Sequence, residues 1–284
     1  MPGREWQGKR QNTRHGTRPG GPARKSYGTP SGARRGAGRE ARRERRANAE
    51  SDVILYGWHT VTAALANPQR HIRRLLATEN ALRRLAEENI ALKVTPEVVR
   101  PGAIDALLTP DAVHQGLLAE ADPLPSPGIE DMDPSGIVLV LDQITDPHNV
   151  GAILRTAAAF AVAAIVTTAR HSPEATGVLA KSASGALELV PIVIVQNLAR
   201  ALAGLKERGF LTVGLDSSAP ADLAAIELRA PLALVLGAEG KGLRQLTGET
   251  CDRLARLDLP GAIKSLNVSN AAALALYIAS RATS

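Results

Sequence analysis

Apolar residues fall into two kinds of pattern along this chain. Over 137–141 they form an unbroken run, Ile137-Val138-Leu139-Val140-Leu141, the pattern of a parallel strand covered on both faces. Further on, Val150, Ile153, Leu154, Ala157, Ala158 and Ala161 recur at helical spacing, so a helix packs that face on the sheet and leaves Arg155 off the stripe. Between the two, Asp142 ends the apolar character and Thr145-Asp146-Pro147-His148-Asn149 makes a turn, with Asn149 placed to cap the helix. Strands are expected over 163–167, 189–195, 210–215 and 232–236, with a helix over 198–208. Alternation of strand and helix predicts the α/β class with a mostly parallel sheet.

A smaller alternating unit is expected over 52–122. Tyr56-Gly57-Trp58-His59 opens a helix carrying Val61, Ala64 and Leu65, a strand follows over 72–77, and a helix over 81–88. A short strand near 91–94, a helix over 97–108 and a strand over 116–121 complete it. Arg70, His71, Arg73, Arg74, Arg83 and Arg84 give the unit a basic neighbourhood, which on charge alone reads as a solvated face. A proline-rich linker over 123–135 follows, stiff and extended. It separates the small unit from a larger one over 136–284.

Charge divides the chain differently. Residues 1–50 hold 14 Lys and Arg against 4 acids, and the remainder holds 20 against 24, so the formal net charge of +6 is a +10 arm on a −4 body. The arm has almost no aliphatic residues and is expected to be disordered. It suits sequence-independent contact with nucleic-acid phosphates, and a solubilising extension is the equal alternative. The arm lacks the apolar core of a secretory signal, and no apolar run is long enough to span a membrane, so a cytoplasmic protein is expected.

Candidate chemistry is narrow. Cys251 is the only cysteine, the six histidines show no ligand spacing, and no Gly-x-Ser-x-Gly occurs, so neither metal, thiol nor serine-hydrolase chemistry is expected. What remains lies at strand ends. Gly237-Ala238-Glu239-Gly240-Lys241-Gly242 follows the strand over 232–236 and makes a loop whose backbone can press against a flat ligand; its glycine spacing fits neither a P-loop nor a dinucleotide fingerprint. Farther on, a strand at Leu257-Asp258-Leu259 is expected to end in a Pro260-Gly261 loop. Ser265, Asn267 and Ser269 then alternate with Leu266 and Val268, either as an elaborate cap for the last helix or as a polar face anchored by apolar side chains.

With residues 142–160, 234–243 and 257–277 in this order, the chain resembles the SpoU (TrmH-like) family of RNA 2′-O-ribose methyltransferases within the SPOUT superfamily. The likeness extends over 53–279, because Gly57-x-His59-x-Val61 and His114-Gln115-Gly116 resemble the substrate-binding module, similar to an L30e fold, of members acting on large-subunit rRNA. The resemblance implies a C-terminal trefoil knot, S-adenosylmethionine bound between the second and third motifs, and a homodimer whose subunits complete each other's sites. By position it implies Asn149, Arg155, Glu239, Ser265 and Asn267 as catalytic residues, with Gly237, Leu259, Ile263 and Leu266 lining the cofactor pocket. The expected product is 2′-O-methylguanosine in 23S-type rRNA. A tRNA ribose is the alternative substrate, and a non-catalytic RNA-binding ribosome-assembly factor the alternative class; a nucleotide-dependent oxidoreductase lacks its fingerprint. Asp258, Leu259 and Ala161 depart from the family's usual proline, methionine and glycine.

The role of Arg155 follows from energetics. Deprotonating an ordinary guanidinium at neutral pH costs about 7–9 kcal/mol, whereas general-base catalysis returns only about 10²–10⁴-fold, roughly 3–5 kcal/mol. Arg155 is therefore expected to hold phosphate and stabilise developing alkoxide charge, with Asn149 and Asn267 orienting it and the ribose.

Overall fold

The computed structural model describes residues 53–170 and 177–283. The basic arm expected over 1–50 lies outside the described residues, as does 171–176 within the polar segment before Lys181.

A six-stranded, all-parallel sheet has the order Arg253–Ala255, Leu211–Leu215, Leu232–Gly237, Ile137–Asp142, Ala164–Thr168, Ile192–Val195. Its central strand is β5 (Ile137–Asp142), every residue of which is buried. Ile137, Leu139 and Leu141 join one apolar core and Val138 and Val140 the other, which is why the run does not alternate. On the first face lie α4 (Pro147–Ala159), α5 (Gly177–Ala183) and α8 (Val268–Ala282). Helix α6 (Leu198–Glu207) covers the second through Leu198, Leu202 and Leu205, and the short α7 (Gln245–Thr250) packs against α6.

The remaining strands of this sheet are β6 (Ala164–Thr168), β7 (Ile192–Val195), β8 (Leu211–Leu215), β9 (Leu232–Gly237) and β10 (Arg253–Ala255). From β5 the chain moves outward to β6, and from β9 it moves outward the other way to β10. The β5/β9 boundary is thus where connections diverge, the position at which sheets of this kind place a ligand crevice beyond the strands' carboxyl ends. Asp142 pairs in register with Gly237 at that boundary.

The N-terminal sheet has the order β1-β4-β2-β3, formed by β1 (Val53–Tyr56), β4 (Leu117–Ala121), β2 (Ile72–Ala77) and β3 (Glu97–Val98). Helices α1 (Trp58–Ala66) and α2 (Glu79–Glu87) accompany it. The apolar core is continuous from α1 into α5 and the 3₁₀ turn at Ala186–Glu188. Linker residue Ser126 lies on edge strand β7, donating to the Ile192 carbonyl at 2.9 Å and accepting from Ile194 N at 3.0 Å, so it satisfies backbone groups that an edge would leave open.

Several expectations need correction. Strand β1 was not anticipated, and no strand forms over 91–94; β3 forms at Glu97 instead. The helix expected over 97–108 shrinks to α3 (Pro101–Asp105), because the residue before a proline is held extended and Arg100 has ψ 151°. The strand expected over 189–195 begins only at Ile192, after the 3₁₀ turn and Pro191. Helix α4 is capped by Asp146, which accepts from His148 N at 3.1 Å, not by Asn149: with Pro147 at the first helical position, Asn149 is already inside the helix.

The basic neighbourhood is largely neutralised. Arg70 is buried against Glu188 at 2.7 Å, Arg73 and His71 meet Asp122, and Arg74 bridges Glu97 and Glu120. The Arg74 guanidinium holds Glu97, and the His71 and then the Arg73 side chain hold Asp122, below the usual carboxylate range.

Ala161 follows the C-cap of α4 with φ +51°, a left-handed position that disfavours a Cβ by about 1–2 kcal/mol. Ala161→Gly is expected to raise stability by up to about 1 kcal/mol after the unfolded-state entropy of glycine is subtracted. A thermal melt checks this, and a lower midpoint would contradict it.

Candidate active site

Three loops meet at the β5/β9 crevice. The first begins at Asp142, a carboxylate only 1% exposed. A buried carboxylate needs full pairing, and Asp142 accepts from Arg244 N at 3.0 Å and from Arg244 Nε at 2.7 Å. This lock draws the end of the second loop onto the end of β5. Sequence reasoning missed it; the available signal was an acid ending a buried strand and an arginine ending a glycine-rich loop.

The second loop doubles back on itself. Ala238 and Gly242 form a bridge, and Gly242 N donates to the Ala238 carbonyl at 2.8 Å. The fold-back presses on Gly237, where an added Cβ would lie 2.2 Å from the Gly242 carbonyl carbon and 2.4 Å from Leu243 N. Gly240 and Gly242 have positive φ, which makes the reversal possible. Glu239 projects at the exposed tip, without a hydrogen bond or ion pair among the described residues.

The third loop runs from β10 to α8. The strand expected at 257–259 is absent, because pairing with β8 ends at Ala255; Leu259 lies half-buried in the loop. Lys264 Nζ donates to the Leu259 carbonyl and closes a turn within the loop. Ile263 is 76% exposed and Leu266 38% exposed, so of the two expected apolar anchors only Val268 is buried. Asn267 caps α8, accepting from Ser269 N at 2.9 Å and Ser269 Oγ at 2.6 Å. Its Nδ2 donates to Asn149 Oδ1 at 3.0 Å. One residue therefore both caps the helix and joins the first loop to the third.

The structure brings Asn149 and Asn267 together. Ser265 is exposed and makes no hydrogen bond among the described residues, and Arg155 projects from α4 without a hydrogen bond or ion pair there. Arg155 lies seven positions after His148, nearly two helical turns along the same face, and His148 Nδ1 is 3.3 Å from Ser182 Oγ. Close packing of α4 on α5 depends on Gly151, where a Cβ would meet Ser182 Cβ at 2.4 Å. The site is thus polar, with one exposed cation on α4 and one exposed carboxylate on the glycine loop. Burial pushes the Cys251 thiol up to about 12, so it stays protonated and is no nucleophile. Among the described residues no group of His, Cys, Asp and Glu is placed to hold a metal ion, and no helix is long and apolar enough to cross a membrane.

Two family models match the chain. Residues 136–277 match the model of the SpoU rRNA Methylase family, and residues 54–127 match that of the RNA 2′-O ribose methyltransferase substrate-binding family. The chain is 37% identical over 238 residues to the 23S rRNA (guanosine-2′-O-)-methyltransferase RlmB of Pseudomonas putida, covering 80% of this chain and 95% of that protein. It is 38% identical over 241 residues to the Vibrio cholerae protein of the same name, covering 81% and 97%. Its fold is similar to the SpoU methyltransferase AviRb of Streptomyces viridochromogenes, solved in complex with the cofactor AdoMet, at a TM-score of 0.70 and 22% identity over 84% of this chain and 92% of that one. The chain belongs to the SpoU rRNA methylase family of RNA 2′-O-ribose methyltransferases.

Proposed function

We propose that this protein transfers a methyl group from S-adenosylmethionine to the ribose 2′-hydroxyl of a guanosine in 23S-type rRNA. The observation that carries the reading is the Asn149–Asn267 contact at the crevice, which joins the first and third loops beside the fold-back at Gly237. A pure RNA binder has no need of that junction, and the named activity of relatives nearly full-length in their match supplies the substrate.

The residues present fit the cofactor. Gly237 lets the glycine loop fold back on itself, and Ile263 and Leu266 expose apolar side chains that gain by being covered; with Leu259 these would hold the adenosyl moiety. When bound, S-adenosylmethionine supplies an electrophilic methyl on a sulfonium centre. Asn149 and Asn267, fixed against each other, orient the ribose. Arg155 binds the neighbouring phosphate and stabilises negative charge on the 2′ oxygen as its proton passes to solvent water. Ser265 and Glu239 complete the polar wall that positions Arg155 and the hydroxyl.

Arg155 and Glu239 meet no partner among the described residues, which supports a homodimer whose second copy brings one to the other. The exposed Tyr277 and Leu274 on α8 suit its interface. Within this reading residues 52–122 are the L30e-like RNA-binding domain, 123–135 the linker and 136–284 the methyltransferase domain, whose last loop and α8 thread the trefoil knot. The protein acts in the cytoplasm, and the basic arm adds phosphate contacts.

Gly237→Ala is expected to weaken S-adenosylmethionine binding at least about tenfold, because backbone rather than a yielding side chain meets the new Cβ. Calorimetric titration checks this; unchanged affinity would place the cofactor elsewhere. Retained cofactor binding with no methyl transfer to any 23S rRNA, free or in assembling particles, would overturn the proposed activity.

A further inference from the structure

The N-terminal sheet carries a cleft of about 310 Å³ bordered by Trp58, Asn80, Arg84, His114, Gln115 and Gly116. Its floor is a two-layer stack, with the Arg84 guanidinium 3.8 Å from the centre of the buried Trp58 ring. Arg84 Nε donates to Glu88 Oε1 at 2.8 Å, which limits rotation of the guanidinium plane, and the side chain remains half exposed. A flat cation backed by an aromatic ring offers its free face to another planar π system.

The rim supplies hydrogen-bonding groups of defined sense. Gln115, held in a left-handed conformation at φ 53°, accepts through Oε1 from Trp58 N at 3.0 Å and from Lys181 Nζ at 3.3 Å. That fixes the amide and leaves its NH₂ as donor. Asn80 is exposed, and its amide has no partner among the described residues, so it offers both a donor and an acceptor. His114 is committed, with Nδ1 accepting from Gly116 N at 3.0 Å and Nε2 3.1 Å from Asp105 Oδ1, and acts as a wall.

Free donors beside a free acceptor, above a stacking cation, match the edge of a base that presents a carbonyl next to a ring N–H. We propose that this cleft binds one unpaired guanine or uracil of the substrate RNA, stacked on Arg84 and read by Gln115 and Asn80, at a site separate from methyl transfer. Position supports this. Gln115 touches Lys181, the next residue Ser182 touches His148, and the next residue Asn149 touches Asn267, so cleft and crevice lie along one continuous surface that a short single strand can follow. The inference rests on the reading of the chain as an RNA methyltransferase and deepens it.

The test uses direct binding. In a Trp6→Phe background, which leaves Trp58 as the only tryptophan, short oligomers of U, C and A and an abasic ribose-phosphate chain of equal length are titrated while Trp58 fluorescence is followed. Oligo-U is expected to perturb Trp58 and to bind about five- to a hundredfold more tightly than the abasic chain. Arg84→Ala and the charge-preserving Arg84→Lys should both erase that preference, whereas Arg83→Ala should weaken U and abasic chains alike, less so at high salt. Full retention of the preference by Arg84→Lys, or equal binding of U and abasic chains, would overturn the stacking site. A preference for C or A would overturn the assigned edge. Because the titration needs no methyl transfer, failure of the cleft and failure of the catalytic reading are separately visible.

Discussion

Arg155→Ala is expected to lower the rate of methyl transfer about 10²–10³-fold, the usual loss when one donor to a developing oxyanion is removed, while leaving S-adenosylmethionine affinity unchanged. The expectation follows from placement. Arg155 is exposed on α4, off the face that packs on the sheet, and makes no hydrogen bond or ion pair among the described residues, so its loss removes no folding contact. Arg155→Lys separates two mechanisms. A lysine keeps the charge and loses the planar fork, so it should recover part of the rate with little change in pH profile. Strong activity with a pH optimum set by the lysine would instead establish general-base catalysis and contradict the electrostatic role.

Glu188→Ala is expected to destabilise the protein by about 3–5 kcal/mol, the cost of leaving one charge of a buried pair uncompensated. The pair is well sealed: Arg70 and Glu188 side chains are each 1% exposed, 2.7 Å apart. Asn67 Nδ2 donates to Glu188 at 2.8 Å, and Arg70 Nη1 donates to the Asp122 carbonyl at 2.7 Å. These residues join the N-terminal sheet to the turn after α5. The thermal midpoint should fall on the order of 10 °C. The double variant Arg70→Met with Glu188→Leu should recover most of that loss, because two apolar groups of similar volume need no pairing. A double variant no better than Glu188→Ala would show that charge attraction, not the avoidance of a lone buried charge, holds this junction.

The parallel sheet was legible because its strands are buried on both faces and so read as unbroken apolar runs, as at Val138, Leu139 and Val140. Helices α4 and α6 were legible because their stripes face an apolar core. Polar stretches were less so. Asn149 and Asp146 are equally good caps by composition, and only Pro147 at the first helical position decides for Asp146. The apolar residues Leu257 and Leu259 invited a strand, but strand identity depends on a neighbour, and β8 supplies none beyond Ala255. Arg70 could not be told from its neighbours Arg73 and Arg74 as the buried one, since its partner Glu188 is 118 residues away. Within the site, residue types and order pointed to Asn149 and Asn267. The Asp142–Arg244 lock spans 102 residues and was legible only as an acid ending a buried strand and an arginine ending a glycine-rich loop.

The most direct test is transfer of labelled methyl from S-adenosylmethionine to unmodified 23S rRNA and to tRNA in parallel, followed by alkaline hydrolysis and mapping of resistant linkages. The account predicts label at one guanosine of 23S rRNA, in an alkali-resistant linkage that reports the 2′-O position. Label confined to tRNA, or label on a base that leaves every linkage alkali-labile, would contradict it.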